Sequence, residues 1–344
     1  MSGPLCFYVP AHIIDHIAKN ARQLGIDPEP AQRTALASQA QRQARRSAVT
    51  ATLTAALTPP RPAKGDRQIY DDEHQWNTGV TLVRGEGDAA VGLANANAAY
   101  DGLGATRDFY RDVLGRDSID NAGLTLLGNV NFGDKYDNAF WDGTQMVFGN
   151  GDETIFTDFT KDVDVCAHEL THGVTQYTAN LAYSGQSGAL NESLSDVFGS
   201  LVEQYAKQQT VEQADWLIGA EVVGPQLAPA LRSMKAPGTA NQYDKQPKDM
   251  DGFVVTNRDN GGVHTNSGIP NRAFYLAAEA LGGFAWEVAG RIWYAAMNDA
   301  RLRPNSRFAA FAQATVRAAT AIGGGADSEP TKAVTEAWRT VKVL

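Results

Sequence analysis

His168-Glu169-Leu170-Thr171-His172 sets two imidazoles one helical turn apart, with a carboxylate next to the first. In a helix, positions i and i+4 share a face, so both rings aim at one point. Zinc takes imidazole ligands and is commonly four-coordinate, and hydrolytic sites leave one position to water. Glu169 lies about 100° round the helix from His168. It can therefore reach such a water without ligating the metal.

About twenty residues further on, Asn191-Glu192-Ser193-Leu194-Ser195-Asp196 opens a second helical pattern. Leu194, Val197, Phe198, Leu201, Val202 and Tyr205 make its apolar face. Glu192, Asp196, Gly199 and Glu203 form the opposite stripe. On an isolated helix such a stripe is a solvated face. Behind a histidine pair, with room to turn back antiparallel, it supplies a third ligand, Glu192. Asp196 then accepts a ligand-histidine N–H, with Asn191 in the same supporting layer.

The stretch HELTHGVTQYTANLAYSGQSGALNESLSD, residues 168–196, resembles the core of the thermolysin family of zinc endopeptidases. Two further segments match that family in order and spacing: Tyr136-Asp137-Asn138-Ala139-Phe140-Trp141-Asp142-Gly143 and Asp259-Asn260-Gly261-Gly262-Val263-His264-Thr265-Asn266-Ser267-Gly268. The resemblance covers roughly residues 66–344. It implies an α+β, two-lobed peptidase: a strand-rich lobe over 66–182 that includes the zinc helix, then a helical lobe over 183–344. The zinc helix would lie at the seam, where substrates usually bind.

Residues 1–58, with a boundary anywhere from 46 to 65, resemble the short pro-segment of protealysin-type members. The proline-rich run Thr58-Pro59-Pro60-Arg61-Pro62-Ala63-Lys64-Gly65 is the expected linker. Before it, residues 11–20 and 31–50 have helical patterns. Between 67 and 159 strand-like runs dominate (79–84, 124–132, 145–149), with one helix over 94–114. Beyond residue 162 helices are expected over 269–281, 284–297, 307–322 and 331–341.

Hydrophobic content of 43% with 20% charged residues is the balance of a water-soluble globular chain. No apolar run approaches the ~20 residues of a membrane helix. The net charge of −9 argues against nucleic acid as a partner. Residues 1–65 carry eight Lys/Arg against three Asp/Glu, so the remainder holds 22 basic and 36 acidic residues. A basic arm on an acidic body suits a self-docking segment, and equally a solvated helix. No basic stretch followed by an apolar one opens the chain, so a classical signal peptide is not expected. Cytoplasmic residence and leaderless secretion both remain open. A monomer is expected.

The family's roles carry over residue by residue. Glu169 is the base, and His264 and Tyr183 are the oxyanion donors, with Asp259 orienting His264. Asn138, Ala139 and Trp141 hold the substrate backbone, and Arg232 grips a substrate carbonyl. Phe156, Phe159, Val165, Ile218 and Leu231 line a pocket for a bulky hydrophobic residue after the scissile bond. One catalytic zinc is implied. Calcium is a weaker expectation: Asp164, Glu203, Asp215 and Glu221 are its candidate ligands, but Leu217 and Ala220 stand where the family has further carboxylates.

Two cysteines make no disulfide framework. Cys166 is expected to be a small apolar core residue. Cys6, in an extended stretch between prolines, could ligate zinc as thiolate and keep the enzyme latent, or simply pack while the pro-segment blocks the cleft. The sequence therefore predicts a neutral metalloendopeptidase acting on proteins and peptides, with its own pro-segment as intramolecular inhibitor. A structural zinc module would need four protein ligands, usually including cysteine. It would need neither a base nor oxyanion donors.

Overall fold

The computed structural model describes residues 6–52 and 66–344, so the expected linker at 58–65 lies outside the described residues. Its strands are β1 (Cys6–Phe7), β2 (Arg67–Asp71), β3 (Thr81–Gly85), β4 (Leu126–Val130), β5 (Ala139–Trp141), β6 (Met146–Phe148), β7 (Leu217–Ile218) and β8 (Arg232–Ser233). The first six form one sheet in the order β1-β5-β6-β4-β2-β3, and β7 pairs with β8. Helices α1 (Ala11–Leu24) and α2 (Glu29–Thr52) lie between β1 and β2 in the chain, and α3 (Ala94–Leu114) follows β3. The helices α4 (Val163–Gln176), α5 (Gly185–Lys207), α6 (Asp259–Asn266), α7 (Gly268–Leu281), α8 (Ala289–Met297), α9 (Phe308–Gly323) and α10 (Glu329–Thr340) make the second half. This is the α+β arrangement expected from the sequence.

Local chemistry explains the boundaries. The Asp162 carboxylate accepts from the Asp164 N–H at 3.1 Å and starts α4. Gly115, with φ 67°, takes the left-handed turn that ends α3, and its N–H returns to the Arg111 carbonyl. The helix expected over 284–297 is shorter, Ala289–Met297. Gly282 and Gly283 both have positive φ and break the chain just before it. Strand β2 has no clear signal in the sequence, because only Ile69 of its five residues is buried.

Helix α4 packs antiparallel on α5, and both are buried over most of their length. The close approach depends on Gly199. A Cβ there would stand 3.0 Å from the Asp164 carbonyl oxygen, tighter than most real Cβ contacts, so the helices would have to move apart slightly. The polar stripe of α5 thus faces α4, while Leu194, Val197, Phe198, Leu201 and Val202 enter the main core.

The amino-terminal segment belongs to that same core. Tyr8, Val9, Ile13, Ile14 and Ile17 are all buried in it, each worth about 1.5–3 kcal/mol when fully buried. Strand β1 adds a sixth, antiparallel strand beside β5, pairing Cys6 with Trp141 and Phe7 with Phe140. Among the described side chains, Arg33 with Asp134 at 2.9 Å is the ion pair joining the segment to the body.

Gly199→Val should destabilise the protein by about 1–3 kcal/mol through overpacking between α4 and α5. Urea unfolding of the variant against wild type measures this, and an unchanged midpoint would exclude the close approach.

Candidate active site

His168 and His172 bring their Nε2 atoms within 3.1 Å of each other. Glu192, delivered by α5, places one carboxylate oxygen 3.5 Å from each ring nitrogen. All three side chains are buried. Both Nδ1 atoms are already committed: His168 donates to Asp196 Oδ1 at 2.9 Å and His172 to Asn191 Oδ1 at 2.8 Å. That fixes the tautomers and turns both Nε2 lone pairs inward beside a carboxylate. Two facing lone pairs and an anion make a cation site, and the donor set suits zinc.

Protonation follows the same logic. Burial alone would lower the His168 imidazole, yet the hydrogen bonds and charges of Asp196 and Glu192 hold it up at about 9. Burial takes His172 down to about 4. The two rings, one raised by carboxylate neighbours and one lowered by burial, thus differ in basicity although they share one face of the helix. Glu192 is held well below the usual carboxylate range, its burial outweighed by His264, His172 and His168.

Asp196 is the hub of the supporting layer. Arg232 Nε donates to its Oδ2 at 2.8 Å and Arg232 Nη2 to its Oδ1 at 2.6 Å. Asn271 Nδ2 adds a bond to Oδ2 at 2.8 Å. Neither Asn271 nor the Arg232–Asp196 pairing follows from the sequence, since both come from distant chain segments. Asn191 is itself fixed by a bond from its Nδ2 to the Leu181 carbonyl at 3.3 Å.

Glu169 is fully buried, and its Oε2 accepts from the Trp141 backbone N–H at 2.9 Å. Its Oε1 has no hydrogen-bond partner. Burial raises this carboxyl to about 8, partly offset by the neighbouring His168 charge. Trp141, expected to hold substrate, thus positions Glu169 through its backbone.

His264 stands opposite. Its Nδ1 and backbone N–H bond Asp259 at 2.6 and 2.9 Å. Burial would lower this imidazole, but Asp259 and Glu192 raise it to about 9. Residues Asp259, Asn260, Gly261 and Gly262 all have positive φ, which explains the Asp-Asn-Gly-Gly run before the histidine. Tyr183 donates its hydroxyl to Glu192 and lies 3.3 Å from His264 Nε2.

The pro-segment candidate runs through this cleft. Tyr8 N–H donates to the Ala139 carbonyl at 3.1 Å, and Val9 N–H to Asn138 Oδ1 at 2.8 Å. Asn138 Nδ2 returns to the Val9 carbonyl at 3.1 Å, and Arg232 Nη1 approaches the Tyr8 carbonyl at 3.5 Å. The Phe7 carbonyl oxygen sits 3.1 Å from His264 Nε2. Cys6 is buried, and its sulfur lies within 4.8 Å of ligand atoms of His172 and Glu192. The Tyr8 ring meets Phe159 edge-on at 6.4 Å, and Phe159 contacts Phe156 at 5.5 Å. Val165, Ile218 and Leu231 are buried as well. Cys166 is buried against Gly102, as a core residue should be, and burial pushes its thiol up to about 12.

The calcium expectation meets a different arrangement. Lys207 Nζ donates to Glu203 at 2.6 Å and to Glu221 at 3.2 Å, so an ammonium lies between two of the candidate ligands. Asp164 accepts from Tyr8 and Gly219, and Asp215 from the Leu217 N–H. Among the described residues, no three of these four carboxylates bring ligand oxygens within 4.8 Å of one another.

Comparison with known proteins agrees with this geometry. The family described as "Thermolysin metallopeptidase, catalytic domain" matches residues 38–176, and "Thermolysin metallopeptidase, alpha-helical domain" matches 179–343. The chain belongs to the thermolysin family. It is a neutral, zinc-dependent metalloendopeptidase. An "Extracellular metalloprotease" of Pectobacterium carotovorum subsp. carotovorum is 47% identical over 332 residues, covering 92% of this chain and 91% of that protein. A "Thermolysin" of Alicyclobacillus acidocaldarius subsp. acidocaldarius is 41% identical, over 74% of this chain but 46% of its own. Among solved structures, "Precursor of Protealysin, Metalloproteinase from Serratia proteamaculans" superposes with a TM-score of 0.85. It is 43% identical and covers 98% of this chain and 100% of its own.

Asp196→Asn keeps the shape of the hub and removes its charge. Zinc affinity should fall about 10–100-fold, the usual cost of losing a ligand's hydrogen-bond partner. Competition with a chromogenic chelator measures it, and unchanged affinity would take Asp196 out of the metal's support.

Proposed function

We propose that His168, His172 and Glu192 hold the catalytic zinc and that Glu169 is the general base. In this reading His264 and Tyr183 are the oxyanion donors, and residues 1–58 are a pro-segment that keeps the protease latent. Lobes of 66–182 and 183–344 would then meet at the cleft. Supporting this most directly, the Phe7–Tyr8 peptide lies across the site in the hydrogen-bonding pattern of an added β-strand.

Zinc bound there would acidify a water to near-neutral pKa and polarise the scissile carbonyl. Ala139, Asn138 and Arg232 fix the substrate backbone, as they fix Tyr8 and Val9 here. Glu169, with its free oxygen, accepts the proton of the attacking water and delivers it to the leaving nitrogen. His264 donates to the carbonyl oxygen as charge builds on it, held in place by Asp259, and Tyr183 stands beside it. Phe156, Phe159, Val165, Ile218 and Leu231 favour a bulky residue after the cleaved bond.

Latency has two layers in this reading. The apolar anchors Tyr8, Ile13, Ile14 and Ile17 fill the cleft and its rim, and Cys6, beside His172 and Glu192, would supply a thiolate to the zinc when the metal is bound. The likeness to a solved protealysin precursor supports a precursor state. The "Extracellular" relative supports secretion. Among the described residues no helix is long and apolar enough to cross a membrane.

Glu169→Ala should lower casein hydrolysis by about 10²–10⁴-fold while zinc stays bound one to one. Metal analysis decides it, since loss of zinc would make Glu169 a ligand instead. For latency, uncleaved Cys6→Ser chain should hydrolyse a small peptide substrate that uncleaved wild type spares. Unchanged latency assigns inhibition to blockage alone, and a fully active uncleaved wild type removes the pro-segment reading.

A further inference from the structure

The pocket that receives Tyr8 has apolar walls but a polar floor. Tyr8 is fully buried, edge-on to Phe159 and, at 5.2 Å, to His168. Its hydroxyl donates to Asp164 Oδ1 at 2.8 Å. The other oxygen of Asp164 accepts from the Gly219 N–H at 2.7 Å, which turns Oδ1 toward the pocket. Gly219, with φ +71°, also makes the room: a Cβ there would stand 2.8 Å from the Tyr8 hydroxyl. The Arg232 guanidinium lies 5.2 Å from the ring centroid and favours an electron-rich phenol face.

We propose that Asp164 is a specificity-determining residue of this protease, selecting tyrosine over phenylalanine immediately after the scissile bond. The inference rests on the pocket assignment made above and deepens it. A phenol reaching the floor satisfies Asp164 Oδ1 and fills the apolar walls together. Phenylalanine fills the same walls but displaces any water from Asp164 and leaves a buried acceptor without a donor. Leucine is too short to reach the floor. Sites that hydrogen-bond a substrate hydroxyl reject the analogue lacking it far more strongly than apolar pockets reject a missing methylene. Tyr8 of the pro-segment uses the same discrimination against its own enzyme.

The test uses mature enzyme and paired quenched peptides identical except for Tyr, Phe, Leu or Gly after the scissile bond. Wild type should cleave the Tyr peptide with kcat/KM about tenfold above the Phe peptide, the size of one buried hydrogen bond. Asp164→Ala should bring the Tyr/Phe ratio to one or below, and Asp164→Asn, which keeps an acceptor oxygen, should hold it above one. Should either variant fail to fold, the wild-type ratio decides alone. Equal or poorer cleavage of Tyr than Phe by wild type overturns the proposal while leaving the hydrophobic pocket standing. A Tyr preference that survives in Asp164→Ala overturns the role of Asp164. No selection among Tyr, Phe, Leu and Gly would instead sink the pocket assignment itself.

Discussion

The packing of α4 against α5 through their polar faces is the constraint on which the site depends. Two helices that meet on carboxylates and imidazoles give up hydration and recover it only through complete pairing. Asp196 makes this pairing possible by accepting from His168, Arg232 and Asn271 at once. Burial raises the Glu169 carboxyl to about 8, while the carboxylates around them hold His168 and His264 up at about 9. Metal ligands must be deprotonated to bind, so metal affinity at such a site depends on pH.

The amino-terminal segment shows how a protease cleft can be closed by its own chemistry. Strand β1 lies along β5 as an extra strand, in the pose proposed for a substrate. Docking is mostly apolar, through α1 residues Ile13, Ile14 and Ile17 that recur at helical spacing. Buried apolar contact of this kind persists at high salt, because screening acts on exposed charges.

Much of this architecture is visible along the chain wherever a pattern is local. Helix α3 begins and ends where its sequence pattern places it, and the zinc helix follows from two histidines at i and i+4. Glu192, Asp196 and Asn191 were legible because they follow on the next helix at a fixed distance. Other features depend on residues far apart in sequence, and no local pattern announces them. Tyr8 meets Asp164 across 156 positions, Phe7 meets His264 across 257, and Asn271 reaches Asp196 across 75. Resemblance identified Arg232 as a substrate contact, yet only the fold shows that two of its nitrogens are spent on Asp196.

Lys207 illustrates how one residue can redirect an inherited design. Burial and the Asp162 charge raise the Glu203 carboxyl to about 7, with the Lys207 ammonium working against them. A cation is needed there to keep the carboxylate ionised. Calcium would supply it only by gathering six to eight oxygens, and Leu217 and Ala220 remove two candidates nearby. An ammonium needs fewer partners, and Glu203, one helical turn before Lys207, and Glu221 provide them. Being covalently attached, the ammonium carries no association cost. Asp164 accepts from the Gly219 N–H with one oxygen and from the Tyr8 hydroxyl with the other.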